Sequence, residues 1–149
     1  MLKDKIDKDF IEAFKAKNTV KKNTLGILKS RMTEWKAEKK NLGKEIADED
    51  IISIITSEVK KRNQAIELYI SSHSEQGDVN AEKEQTELNI LLTYLPKQLN
   101  DVEIMTEILK VKKNIAEGPL IANVMKHFNT NFKGKFDNKK LQELIKTIS

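Results

Sequence analysis

The side chains best suited to catalysis in this 149-residue sequence are its two histidines, His73 and His127. Neither has another metal-ligating side chain three or four residues further on, the spacing that places two ligands on one helix face. Ser71 and Ser72 precede His73, but adjacent residues of one loop do not orient each other as a nucleophile and its base require. A glycine-rich phosphate loop with its lysine is also missing. The sequence therefore contains no self-sufficient catalytic constellation, and we expect neither a metal nor another cofactor.

Lysines near the C-terminal end suggest a different chemistry, the binding of phosphate. The segment FNTNFKGKFDN at 128–138 places a lysine on each side of Gly134, and Phe132 and Phe136 flank them. Stacking of nucleic-acid bases on these two phenylalanines is one interpretation, and the preferred one is that both fill the core of a small helical domain. The lysines of this region that could contact an anion are Lys126, Lys133, Lys135, Lys139 and Lys140.

Charge is distributed unevenly along the chain, whose net charge is +4. Lys and Arg outnumber Asp and Glu by 13 to 7 in residues 1–47 and by 9 to 6 in residues 101–149, but are outnumbered 5 to 10 in residues 48–100. Such asymmetry can steer an anionic partner toward the ends of the molecule, although solvated lysine-rich helix faces are common and, taken alone, are the preferred explanation. The run Lys60-Lys61-Arg62 could likewise bind phosphate or form salt bridges with Glu58 and Glu67.

The overall composition predicts a helical protein. Five glycines and two prolines are few, whereas Lys, Glu, Leu and Ile are abundant. No cysteine is present, which excludes disulfides and thiolate metal sites. Since no apolar run is long enough to span a bilayer and the N-terminus lacks a signal-peptide pattern, we expect a soluble cytoplasmic protein without a membrane partner.

One stretch, EKEQTELNILLTYLPKQL at 82–99, organises the rest of the chain. Its leucines recur every three or four residues, which predicts an amphipathic helix that stops at Pro96. Asn100 then resembles an N-cap, with Glu103 as its capping-box partner. A long helix, a proline stop and a capped restart predict a hinge, formed by Tyr94, Leu95, Pro96 and Leu99.

The same reasoning gives the other helices and an all-α fold. We predict a larger bundle of about four helices over residues 1–97, followed by a small three-helix subdomain over residues 98–149. In the bundle, Thr19 is the predicted cap of the second helix, and Asp48 begins the third, which extends to about Ser71. The fourth is predicted to begin at Asp78 or Asn80, after the turn residues SSHSEQG. In the subdomain, the helices are predicted over 102–116, from Gly118-Pro119, and after Asp137 as cap.

Several of these segments together resemble the YqeY family of small helical bacterial proteins. The most specific are Lys61-Arg62, Ile66-Glu67, Tyr69, Glu82, Glu84 and, above all, the YLPxQL hexapeptide at 94–99. The likeness extends over nearly the whole chain and implies a larger helical part followed by three shorter helices. The spacing of apolar residues predicts the same arrangement.

The C-terminal signature departs from the family pattern. The family typically has Met-Gly-Lys-Val-Met and then Gly-Lys-Ala-Asp-Gly, where this chain has Ile-Ala-Asn-Val-Met at 121–125 and Gly-Lys-Phe-Asp-Asn at 134–138. Two glycines and one lysine are thus replaced, which weakens any role that depends on them.

The resemblance carries functional implications. The family is similar to the C-terminal tail of the GatB subunit of the tRNA-dependent amidotransferase, which helps to hold tRNA while other subunits perform the chemistry. This implies tRNA as a partner, a larger amidotransferase or translation-related enzyme as another, and a label of carbon-nitrogen ligase activity with glutamine as amido-N-donor. Because catalytic groups are missing, we interpret that label as association with such an enzyme, with independent catalysis ranked last. The alternative hypothesis is a protein-interaction adaptor that binds no RNA and docks through its middle helices.

Overall fold

The computed structural model describes residues 1–148; Ser149, the last residue of the predicted subdomain, lies outside the described part. Residues 1–148 form seven α-helices and one short 3-10 turn, without any strand, so the predicted all-α class is confirmed. The helices are α1 (Leu2–Lys15), α2 (Thr19–Ala37), α3 (Asp48–Ser71), α4 (Glu75–Leu92), α5 (Asp101–Asn114), α6 (Leu120–Asn131) and α7 (Asn138–Lys146), and the 3-10 turn is Lys39–Asn41. Among these helices, none combines the length and the apolar character that crossing a membrane requires.

The chain divides into two compact units, Met1–Leu95 and Pro96–Ser149. In the N-terminal unit, α1 and α2 pack against α3 and α4 around one apolar core. The buried residues of that core are Ile6, Leu25, Leu28, Met32, Ile51, Ile55, Leu91 and Tyr94. Apart from Tyr94, which follows α4, they come from all four helices, and burial of the apolar helix faces holds the unit together.

Local hydrogen bonds fix where the N-terminal helices begin. The side chain of Asn18 accepts a hydrogen bond from the Lys21 backbone N–H, so Asn18 is the cap of α2 and the prediction of Thr19 was wrong by one residue. Helix α3 begins at Asp48 as predicted, and the Asp50 carboxylate accepts from the Ala47 N–H at 2.9 Å. The acidic first turn of α3 therefore satisfies free backbone donors and faces the positive end of the helix dipole.

Helices α3 and α4 form an antiparallel hairpin with a turn of three residues, 72–74. Helix α4 begins at Glu75, capped by the Ser74 hydroxyl, which accepts from the Gly77 N–H at 3.0 Å. The predicted start at Asp78 or Asn80 was therefore wrong, because Gly77 serves inside the helix and not as a breaker. A Cβ at Gly77 would overlap the Ser72 hydroxyl and the Tyr69 carbonyl oxygen, so only glycine permits this close approach.

In the C-terminal unit, α5, α6 and α7 surround a separate core. Its buried residues are Ile104, Ile108, Val124, Phe128, Leu141 and Ile145. The capping box at the start of α5 is confirmed: the Asn100 side chain accepts from the Glu103 N–H at 2.8 Å, and Glu103 accepts from the Asn100 N–H at 3.5 Å. Asp137 caps α7 as predicted.

The YLPKQL hexapeptide at 94–99 contributes to both cores. Helix α4 ends at Leu92; Tyr94 is buried in the N-terminal core and Leu95 packs against it. Leu99 packs against the C-terminal core, and its backbone N–H donates to the Lys135 carbonyl at 2.7 Å. Pro96 lies between these anchors, and a hinge at this position stays a prediction.

Candidate functional site

Four of the five predicted anion-binding lysines lie within eight consecutive residues around one turn. Lys133 and Lys135 belong to the turn 132–137 that joins α6 to α7, and Lys139 and Lys140 belong to the first turn of α7. Lys126 lies on α6, less than two helical turns before its end. We call residues 132–140 the lysine turn.

Backbone hydrogen bonds hold the lysine turn in one conformation. Gly134 has a φ of +78°, a left-handed value that a side chain would disfavour. Its carbonyl accepts from the Gln98 side-chain amide at 2.7 Å, and the Lys135 carbonyl accepts from the Leu99 N–H. The Lys135 N–H in turn donates to the Phe132 carbonyl at 2.9 Å. The lysine side chains therefore project from a backbone that is already ordered.

The two phenylalanines of the turn face the core. The rings of Phe132 and Phe136 lie 5.4 and 5.2 Å from the ring of Phe128, which is completely buried. This packing agrees with the preferred interpretation of both residues as core plugs, and such aromatic contacts stabilise beyond their buried area. Stacking of bases on these two rings is therefore disfavoured.

The lysine side chains differ in their surroundings. Lys126 and Lys133 are exposed, Lys135 is half-buried, and Lys140 pairs with Asp101 at 3.0 Å although 48% of its side chain remains exposed. Lys139 is exposed, and its backbone N–H donates to the Asp137 carboxylate at the cap of α7. The positive end of the α7 dipole lies in the same turn, so the local potential favours an anion.

The other basic run, Lys60-Lys61-Arg62, has a largely structural role. Lys61 pairs with Glu58 at 3.6 Å, as the salt-bridge interpretation predicted. The Arg62 side chain is 10% exposed and reaches α4, where it pairs with Glu84 at 2.9 Å and with Glu87. Arg62 therefore ties α3 to α4 and is not available to a phosphate. Sequence spacing could not indicate these partners, because they lie more than twenty residues away on another helix.

A second polar group, which sequence reasoning missed, joins α5 to α6. His127 Nε2 lies 3.1 Å from Glu107 Oε2, and Lys110 Nζ lies 3.1 Å from Glu107 Oε1. The Asn131 side-chain nitrogen lies 3.2 Å from His127 Nδ1, so both ring nitrogens of the imidazole have hydrogen-bond partners. Glu107 and Lys110 are three residues apart, a spacing that places both on one helix face. His127 is twenty residues after Glu107, so spacing within one helix could not indicate that contact.

The environment of Glu107 favours its ionised form. Partial burial raises the pKa of the carboxyl, but hydrogen bonds from His127 and Lys110, together with their charges, outweigh burial and lower the pKa below its ordinary value. Glu107 is thus a carboxylate at neutral pH, with both oxygens engaged.

Glu107 and His127 belong to the wall of an open cleft between α5 and α6, which we call the α5–α6 cleft. Its volume is about 500 Å³. The lining residues are Glu107, Lys110, Val111, Asn114, Ile115, Ala116, Asn123 and His127. Asn123 occupies the position at which the family pattern has lysine, so the departure noted in the sequence falls in this wall.

Residues 1–148 hold no group of three or more His, Asp or Glu side chains placed to share a metal ion. The C-terminal unit has two polar regions, the lysine turn and the α5–α6 cleft. Both are suited to noncovalent binding of a ligand.

A comparison with protein families agrees with the motifs. The family model described as Yqey-like protein matches residues 3–148, nearly the whole chain. Among curated proteins, none matches the sequence significantly. Because the family model covers nearly the whole chain, the chain belongs to the YqeY family.

Proposed function

We propose that this protein is a tRNA-binding module whose main RNA contacts are the lysines of the C-terminal unit. The observation that carries the proposal is the lysine turn: Lys133, Lys135, Lys139 and Lys140 follow one another on an ordered backbone at the positive end of α7. The contacting set comprises these four lysines and Lys126. The resemblance to the GatB tail supports tRNA as the particular RNA.

The proposed binding is electrostatic in origin. Lysine side chains contact backbone phosphates and release condensed counterions, so affinity depends steeply on salt. Such contacts carry little sequence information, and a folded RNA would be selected mainly by its shape. An ordered turn lowers the cost of placing several lysines along one phosphate backbone.

We further propose that any amidotransferase chemistry belongs to a partner enzyme in the cytoplasm. Glu107 and His127 form the most developed pair of titratable side chains in the C-terminal unit, but both Glu107 oxygens and both imidazole nitrogens already have partners. The carbon-nitrogen ligase label of the family then describes an association, in which this chain presents tRNA to the enzyme.

The proposal is tested by measuring tRNA affinity across a salt series for the double variant Lys133→Glu, Lys135→Glu. Loss of two phosphate contacts should weaken binding and reduce the log–log salt slope by about two, roughly one for each contact. Fluorescence anisotropy with bulk tRNA and with duplex DNA of similar length supplies both the affinity and the preference for folded RNA.

A matched control is the double variant Lys36→Glu, Lys39→Glu in the N-terminal unit. Both residues are exposed, and the change in net charge is identical. The control should retain the wild-type salt slope. Equal losses in the two variants would mean that net charge alone governs binding, and an unchanged affinity in the first variant would exclude the lysine turn.

One observation favours the alternative of a protein-interaction adaptor. The far end of the α3–α4 hairpin exposes Leu68, Ile70 and Val79, at 72%, 53% and 58%, beside acidic residues such as Asp78 and Glu82. Exposed apolar side chains with a charged rim are typical of protein-binding surfaces. An adaptor would retain its partners in pull-downs after nuclease treatment and would show no salt-sensitive binding of purified RNA.

A further inference from the structure

The α5–α6 cleft has a chemical character that the lysine turn does not explain. Its lining includes the apolar side chains of Val111, Ile115 and Ala116, and its volume lies within the range of about 300 to 1,000 Å³ that is usual for small-ligand sites. His127 connects the cleft to the lysine turn, because its ring lies 5.7 Å from that of Phe132. A ligand in the cleft would therefore lie close to a chain held by the turn.

The polar groups of the cleft are mainly hydrogen-bond acceptors. The Asn123 amide nitrogen already donates to the Glu117 and Pro119 carbonyls, at 3.1 and 2.9 Å, and the Asn114 amide nitrogen donates to the Lys110 carbonyl at 3.0 Å. Asn123 therefore has only its oxygen left to offer a ligand, whereas Asn114 retains its oxygen and one N–H. The Glu107 carboxylate adds a negative charge to the same wall. A suitable ligand presents N–H donors on its edge and apolar faces.

Positive charges flank this acceptor wall. Lys110 lines the cleft with 63% of its side chain exposed, and Lys126 lies three residues from Asn123, on the same face of α6. Cations at the rim and acceptors in the interior match one kind of ligand in particular: a flat ring with an exocyclic amine, joined to a phosphate backbone.

We propose that the α5–α6 cleft binds an unpaired, amino-bearing nucleobase of RNA, adenine or cytosine in preference to uracil. The base would lie against Val111 and Ile115, its amine would donate to the Asn123 oxygen, and Lys110 and Lys126 would contact the adjoining phosphates. Uracil fits less well because its two carbonyl oxygens would face other acceptors. The inference rests on the proposed function and adds base selectivity to it.

The test measures binding of oligoadenylate, oligocytidylate and oligouridylate of equal length, with an RNA duplex as reference, by fluorescence anisotropy. We expect oligoadenylate and oligocytidylate to bind at least fivefold more tightly than oligouridylate. The variant Ala116→Trp fills the cleft from an exposed position and should remove that preference, with a loss of about tenfold for oligoadenylate. Its affinity for the duplex should stay unchanged.

The control variant is Ala122→Trp, which adds the same side chain at an exposed position of α6 that does not line the cleft. It should bind all four probes as the wild type does. Equal affinity of the wild type for all three single strands, or equal losses in both tryptophan variants, would overturn the inference while leaving the lysine turn as an RNA site. Absence of binding to every probe would overturn both proposals.

Discussion

Arg62 in the N-terminal unit and Lys133 in the C-terminal unit both belong to basic runs of the sequence, yet their surroundings are opposite. The Arg62 guanidinium lies between two helices against Glu84 and Glu87, and its Nε is buried without a partner among the described residues. Lys133 is exposed and projects from a turn whose backbone is held by hydrogen bonds from Gln98 and Leu99. A basic run in a sequence therefore indicates anion binding only where its side chains do not already form ion pairs between helices.

The largest effect is expected for Arg62→Ala. Removing one member of a buried ion pair leaves the two glutamates without their counterion, and we expect the free energy of unfolding to fall by about 3 kcal/mol. Chemical denaturation measures the change. Lys61→Ala, next in sequence but 61% exposed, is the control and should lose less than about 0.5 kcal/mol. Similar losses in the two variants would remove the distinction between the basic runs.

A somewhat smaller loss is expected for Gly77→Ala. The added Cβ would overlap the Tyr69 carbonyl oxygen, so the turn between α3 and α4 must shift, at a cost of about 2 kcal/mol in the free energy of unfolding. Gly26→Ala is the matched control, because its Cβ would meet only Phe10 at an ordinary 3.7 Å and alanine favours a helix. Thermal melting should separate the two variants, with the control at or above the wild type.

Tyr94→Phe tests the other polar anchor of the N-terminal unit. The Tyr94 hydroxyl donates to the Asp9 carboxylate at 2.6 Å. Burial, the hydrogen bond and the charge of Asp9 all raise the pKa of the phenol, so it stays neutral and continues to donate. We expect a loss of about 1.5 kcal/mol by urea denaturation. Tyr69→Phe should change stability by less than a third of that, and equal effects would show that the bond to Asp9 contributes nothing.

The Glu107 group predicts a pH-dependent contribution in the C-terminal unit. Because its folded-state pKa is lower than the ordinary value of 4.5, its contribution is present above that pH and disappears as pH falls through the folded-state pKa. We expect Glu107→Gln to lower stability by about 0.5 kcal/mol at pH 7 and to match the wild type once the pH is low enough to protonate the folded-state carboxyl. Melting curves across this range, with Glu143→Gln as control, provide the measurement. A difference that persists at low pH would contradict the assignment.

The smallest effect is expected for the lysine turn itself. Lys133→Gln with Lys135→Gln should change the free energy of unfolding by less than about 0.5 kcal/mol, because hydrogen bonds from the Gln98 side chain and the Leu99 backbone hold the turn. A normal denaturation curve combined with weaker tRNA binding would sharpen the contrast with Arg62. A large loss of stability would instead give these lysines a structural role.

Local chemistry made much of the fold predictable. Neighbouring residues determine three of the predicted helix starts, and the structure confirms each one. They are the acidic start of α3, the capping box of Asn100 and Glu103, and the Asp137 cap. The start of α4 was missed because glycine normally ends helices, and only the packing of the hairpin explains Gly77. The three- and four-residue spacing of leucines and isoleucines indicated which helix faces are buried in the two cores.

The candidate site was less accessible to sequence reasoning. The lysine turn could be identified because its four lysines lie within eight residues of sequence. The partners of Arg62 and the pairing of Glu107 with His127, in contrast, join residues twenty or more positions apart. Such contacts depend on how helices pack, which spacing within one helix does not determine. The α5–α6 cleft could not be predicted either, because its lining comes from two helices and the segment after α5.

The two hydrogen bonds that tie Gln98 and Leu99 to the lysine turn have a practical consequence for dissecting the molecule. A fragment that begins at Pro96 retains both donors, whereas one that begins at Asn100 keeps the capping box of α5 but leaves the Gly134 and Lys135 carbonyls without these partners. The two fragments differ by only four residues. Trimming the chain to Pro96 or to Asn100 would therefore distinguish a C-terminal piece with an ordered lysine turn from one in which that turn is free to move.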